Sequence, residues 1–148
     1  MPVFEHRFEV TASVEEVAAF HVDPRAFRRL VPPGIILQIH VQEPVATDSV
    51  NEFTMWMGPL PVYWMAVHSD VSPSGFQDRQ TAGPMKSWVH SHSFEPISEF
   101  QTTVVDHIEY EHHFGWRGVC SRLLFSGIGL WWVFAWRTWA TRRAVRSM

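Results

Sequence analysis

Between Ile35 and Phe114 the chain falls into six short runs whose connections are too brief to hold a crossover helix. They read IILQIHVQ, VNEFTMWM, PVYWMAVHSDV, GFQDRQTAG, KSWVHSHSFEPI and FQTTVVDHIEYEHHF, rich in β-branched and aromatic residues. Turn signals separate them, including Pro-Val-Ala-Thr-Asp-Ser, Gly58-Pro59, Ser72-Pro73-Ser74-Gly75 and Gly83-Pro84. Parallel strands need a crossover of about a dozen residues or more, so consecutive runs this close can pair only as antiparallel hairpins. The fifth run carries a further constraint. Its alternation puts Trp88, His90, His92 and Phe94 on one side of an extended chain, and Val89, Ser91, Ser93 and Glu95 on the other. One face suits water, while the opposite face is aromatic and holds two imidazoles.

The flanks read differently. Phe4, His6, Phe8 and Val10 alternate with Val3, Glu5, Arg7 and Glu9, as in a half-buried first strand. Ser13 with Glu16 three residues later forms a capping box that opens a short helix over SVEEVAAF. Asp23-Pro24 opens a second over DPRAFRRL, which Pro32-Pro33-Gly34 ends. From about Gly118 the chain reads as helix. The uncharged run between Arg122 and Arg137 is shorter than the roughly 20 residues a bilayer span needs, so a buried core helix is predicted. At about 100° per residue, Leu124, Phe125, Ile128, Trp131, Trp132, Ala135, Trp136 and Trp139 share one broad arc. Arg122, Ser126, Arg137 and Thr141 lie opposite, and the aromatic arc is expected to face the sheet.

Eight Trp and eleven Phe exceed what a core of this size needs, which points to a wide core, an interface or a ring-lined cavity. Residues 1–116 hold 6 Lys/Arg against 15 Asp/Glu, whereas residues 117–148 hold 6 Arg and no acid. Such a basic segment can contact nucleic acid or anionic lipid, or complement a helix C-terminus and the acidic body beneath it, and the last reading is preferred. No nucleic-acid motif accompanies it, and the acidic majority argues against that partner. The lone Cys120 excludes an internal disulfide and suits a reducing compartment. Charges interrupt the N-terminal MPVFEHRFEV, so no signal peptide is read and a cytoplasmic protein is expected.

Strand, two short helices, six strands and a long C-terminal helix follow in an order that resembles the helix-grip fold of the START-like superfamily, also called SRPBCC. FEVTASVEEVAAFHVDPRAFRRLVPP is similar to that group's opening strand and helix pair. GPLPVYWMAVHSDVSPSGFQDRQTAGPMKSWVHSHSFEP resembles a bacterial branch with Phe-x-Asp-x-Gln, Gly-Pro and Trp-x-His-x-His-x-Phe, followed by Asp106 and Tyr110. The resemblance covers nearly the whole chain as a single domain, residues 1–148. It implies an α+β protein, a curved antiparallel sheet of about seven strands around the C-terminal helix, with a cavity between them. It does not imply one reaction.

Three uses of the histidines compete. Histidines at i and i+2 on a strand point the same way, as in several metal sites, but Glu95 lies on the other face and His112-His113 point apart. With no third ligand converging, neither metal nor other cofactor is expected. If the last two strands pair, His90, His92, Asp106 and Tyr110 share the inner face, with Asp78 and Gln80 on the neighbouring strand. That set suits acid/base chemistry of a cyclase, dehydratase or isomerase, with no catalytic residue singled out. It equally satisfies polar groups in an apolar wall. The preferred reading is a cavity for a hydrophobic small molecule (lipid, polyketide or aromatic compound). Trp64, Phe76, Trp88, Phe94, Trp132 and Trp136 would be its walls, and His68, Asp78, Gln80, His90, His92, Asp106 and Tyr110 its polar contacts. A filled-core interaction module is the remaining reading. No stable membrane insertion is expected, and the oligomeric state is left open.

Overall fold

A computed structural model describes residues 1–146. Strand β1 (Val3–Val10) leads to helices α1 (Val14–Val22) and α2 (Pro24–Leu30). Strands β2 (Ile35–Gln42), β3 (Val50–Met57), β4 (Leu60–Ser72), β5 (Gly75–Ala82), β6 (Ser87–Ser98) and β7 (Gln101–Glu111) follow. A 3-10 turn (Gly115–Gly118), helix α3 (Val119–Leu124) and helix α4 (Gly127–Arg146) complete the chain. Both predicted caps are present: the Ser13 hydroxyl accepts from the Glu16 amide while Glu16 reaches back to the Ser13 amide, and Asp23 accepts from the Arg25 amide.

All seven strands join one antiparallel sheet in the order β1-β7-β6-β5-β4-β3-β2. The strands from β2 to β7 form successive hairpins, as the short connections require. The first strand then closes against the last, with His6 opposite Asp106 and Phe8 opposite Val104. At the start of β5, Gly75 adopts φ +152°, and a Cβ there would collide with the His92 carbonyl. Glycine thus lets β5 approach β6 closely at His92.

The core has two parts. Phe8, Val10, Val17, Phe20, Phe94 and Val104 pack with Ala140, Ala144 and Val145 from the end of α4. Leu37, Phe53, Trp64, Trp88, Ile108 and Tyr110 pack with Leu130 and Phe134 from its beginning and with Phe125 at the α3–α4 joint. The sheet therefore grips α4, but by a different face from the one predicted. Leu130, Phe134, Ala140, Thr141, Ala144 and Val145 are buried, while Ile128, Trp131, Trp132 and Trp139 are exposed. Two causes account for this correction. The chain breaks between α3 and α4, so a single helical wheel drawn from Leu124 loses its phase at Ser126. The concave sheet already carries Phe53, Trp64 and Trp88, leaving room for a narrow seam of Leu130, Phe134 and Thr141 but not for another layer of indoles.

Candidate ligand cavity

Where α2, the sheet and the α3–α4 joint fail to meet, they enclose a cavity of about 540 Å³. Its apolar wall comes from Phe27, Phe53, Met55, Trp64, Trp88 and Phe125, and its mouth from Pro32–Ile35, Gly58, Leu123 and Trp132. One patch of the wall is polar, built from His21, His68, Asp78, His90 and His92.

The centre of that patch is set by strand register. On three adjacent strands, Asp78 sits directly across from His90, and His92 directly across from Asp106. Each carboxylate nevertheless hydrogen-bonds the diagonal imidazole, where side chains of this length reach. His92 Nε2 donates to Asp78 and His90 Nε2 to Asp106, both at 2.9 Å. His92 Nδ1 also lies 3.1 Å from Asp106, in poorer alignment, and His90 Nδ1 lies 3.8 Å from Asp78. The two imidazoles lie with centroids 3.8 Å apart and planes tilted by 36°, and Phe76 stacks on His92 at 4.4 Å.

This arrangement divides the protons unequally. Burial is the largest influence on His90 and lowers its pKa, with the nearby His92 charge adding to the effect. Burial pushes His92 down too, but hydrogen bonds to Asp106 and Asp78 together outweigh it and leave its pKa raised. For Asp106 burial alone would raise the pKa, yet both histidines hold it well below the usual carboxylate range. Asp78 is lowered in the same way, chiefly by His92 against its own burial. The set thus keeps both carboxylates ionised at neutral pH and holds a proton more readily on His92 than on His90, beside an apolar space.

His21 joins them from the last turn of α1. Its Nδ1 donates to the Val17 carbonyl at 2.8 Å, which leaves Nε2 as an acceptor. Desolvation depresses its pKa to about 4. His68 is held from behind, with Nδ1 3.0 Å from the Ser49 hydroxyl. The polar wall therefore offers mainly acceptors: Asp78 and the His21 ring.

Eight of the residues singled out in the sequence line the cavity: Trp64, His68, Phe76, Asp78, Trp88, His90, His92 and Trp132. Five do not. Asp106 lies buried behind the histidines, and Phe94 packs against the His21 ring in the core. Gln80 instead clamps the Met85 backbone in the β5–β6 turn, donating to its carbonyl and accepting from its amide. Tyr110 packs against Trp88 and His112, and Trp136 donates to the Arg29 carbonyl. His21, Arg137 and the mouth residues other than Trp132 were not read from the sequence. His21 had a legible signal, since it follows the fully buried Val17 by one helical turn and so shares its inward face.

Asp78, His90 and His92 present ligand atoms within 4.8 Å of one another, so this trio could hold a metal ion. The expectation that no third donor converges on the histidine pair is corrected here, because hairpin register brings Asp78 onto it.

No family profile and no curated protein sequence matches the chain. Solved structures do. The Zhui aromatase/cyclase from Streptomyces sp. R1128 superposes with a TM-score of 0.77 at 11% identity, covering 98% of this chain and 93% of that one. Norcoclaurine synthase from Thalictrum flavum, in complex with dopamine and hydroxybenzaldehyde, gives 0.72 at 15% identity, covering 99% and 87%. A START superfamily protein from Mycobacterium smegmatis gives 0.71 at 13%, covering 98% and 97%. The chain has the START-like, or SRPBCC, helix-grip fold.

Proposed function

We propose that the protein binds a hydrophobic small molecule carrying a hydrogen-bond donor at one end, such as a phenol or an alcohol. The cavity carries this reading: about 540 Å³ lies within the range of small-molecule sites, and its apolar wall meets a single polar patch made of acceptors. The apolar body would lie against Phe53, Trp64 and Trp88, and its donor would reach Asp78 or His21. Aromatic compounds, polyketides and lipids all fit that description.

One observation supports a second reading on the same cavity, acid/base catalysis. Asp78 stands on the wall and shares a proton with His92, whose other nitrogen faces Asp106. A proton taken from a bound ligand by Asp78 would thus be compensated by buried charge behind it. The hydrogen bonds from His92 to Asp78 and from His90 to Asp106 already engage both carboxylates, and we read the cluster as metal-free.

Titration with a set of apolar phenols and their hydroxyl-free counterparts, followed by tryptophan fluorescence, tests the binding reading. Saturable binding is expected, tighter for the phenols, and Asp78→Asn should erase that preference. Absence of saturation with every hydrophobe would overturn it. Conversion of a bound ligand, followed by mass spectrometry and lost in Asp78→Asn, would select the catalytic reading.

A further inference from the structure

Half of the chain's tryptophans are on its outside. Trp116 is 85% exposed, Trp131 65%, Trp139 50% and Trp132 45%. Leu123 and Ile128, at 76% and 87%, lie among them. Along α4, Ile128, Trp131, Trp132, Trp139, Arg142, Arg143 and Arg146 fall within about a third of the helix circumference, opposite the seam that the sheet grips. Among the described residues, the indole N–H groups of these four tryptophans donate no hydrogen bond.

The charge on this side meets rings and backbone rather than acids: Arg137 lies over Phe134, Arg142 over Phe8 and Arg143 over Trp139. Arg117, Arg122, Arg137, Arg142, Arg143 and Arg146 lie in a segment without a single acid. Among the described residues none of them pairs with a carboxylate. Arg142 donates to the Glu9 backbone carbonyl at 3.0 Å, and Arg122 to carbonyls of His113 and Gly115. The segment thus meets the acidic body through a backbone carbonyl of Glu9 and not through a carboxylate. A shallow groove beside Thr138 and Trp139 is flanked by Arg142, Arg143 and Arg146.

We propose that this face, from Trp116 through the outer side of α4, docks on an anionic lipid surface. Tryptophan suits the headgroup level, where its ring is in apolar surroundings and its N–H finds acceptors, and arginines beside it meet anionic headgroups. A second copy of the chain fits less well. A two-fold interface sets the same patch against itself, and this patch would oppose arginines to arginines with no acid to relieve them. By length and composition the run Gly115–Arg146 is apolar enough to cross a membrane. However, the inner face of α4 is committed to the sheet, so the helix lies along the surface rather than through it. Leu123 and Trp132 belong both to this face and to the cavity mouth. Docking thus turns the opening toward the bilayer; passage of a ligand through it rests on the binding reading, whereas docking itself does not.

Co-sedimentation of the full chain with vesicles of phosphatidylcholine alone, or mixed with phosphatidylglycerol, tests the proposal. Binding is expected on the mixed vesicles, weakening as salt rises. Ile128→Glu/Trp131→Glu and, separately, Arg143→Glu/Arg146→Glu should each weaken it by about tenfold or more. Fluorescence of 8-anilinonaphthalene-1-sulfonate in the cavity should be unchanged in both variants. No binding to mixed vesicles, equal and salt-insensitive binding to both kinds, or variants that bind like the parent would each overturn the proposal. So would a dimer in sedimentation equilibrium that Ile128→Glu/Trp131→Glu dissociates while no vesicle is bound. Vesicle binding without any cavity ligand would uphold docking and count only against the binding reading.

Discussion

Replacing Asp106 by Asn tests whether the buried histidine–aspartate set is held by charge. Asp106 is 3% exposed; it accepts from His90 Nε2 at 2.9 Å and lies 3.1 Å from His92 Nδ1. The amide keeps the shape but removes the charge that holds a proton on His92, and turns one N–H toward an imidazole. Removing one partner of a fully buried pair typically costs about 3–5 kcal/mol, a large share of the roughly 5–15 kcal/mol that holds a domain together. With a urea dependence of about 2 kcal/mol per molar, the unfolding midpoint should fall by about 2 M. Asp78→Asn is the internal control. Its side chain remains 18% exposed at the cavity wall, so water replaces part of what is lost, and a drop of about half that size is expected. The pH dependence follows from the sign of the shift. The folded Asp106 carboxyl lies well below 3.8, so its contribution is complete above that value and fades as pH falls below it. The gap between parent and variant should therefore be widest between about pH 4 and 6.5, narrowing below as Asp106 protonates and above as His92 loses its proton. Urea titrations followed by circular dichroism measure this at each pH. A loss under about 1 kcal/mol at pH 7, or equal losses for the two variants, would show that packing rather than charge holds the set.

Two further outcomes are expected. His21, depressed from 6.5 to about 4, contributes stability above pH 6.5 that is lost as pH falls toward 4, about 3 kcal/mol in all; His21→Phe should flatten that part of the stability–pH curve. His92 acts with the opposite sign, contributing below 6.5 and fading as pH rises past its raised value. Elemental analysis of untagged protein should find no stoichiometric transition metal, because His90 and His92 already engage Asp106 and Asp78 through hydrogen bonds; one equivalent of zinc or iron, lost in His90→Ala, would refute this.

Local chemistry determined much of this protein. Alternation and turn residues set the seven strands and their antiparallel sense, because period-two patterning and short connections leave no other pairing. Ser13, Asp23 and Pro24 set two helix starts, because a cap acts within one turn. The same alternation placed Trp88, His90, His92 and Phe94 on the inner face, where they are buried. Tertiary structure decided what depends on distance between elements. Asp78 reaches the histidine pair only because β5 and β6 pair in one particular register, and Gln80, two residues on, turns instead to its own hairpin. The orientation of α4 was also decided there. Its sequence offers a broad aromatic arc and a narrower seam of Leu130, Phe134 and Thr141, and hydrophobicity alone favours burying the arc. The space left over a sheet already lined with large rings selects the seam, and so leaves the tryptophans and arginines facing outward.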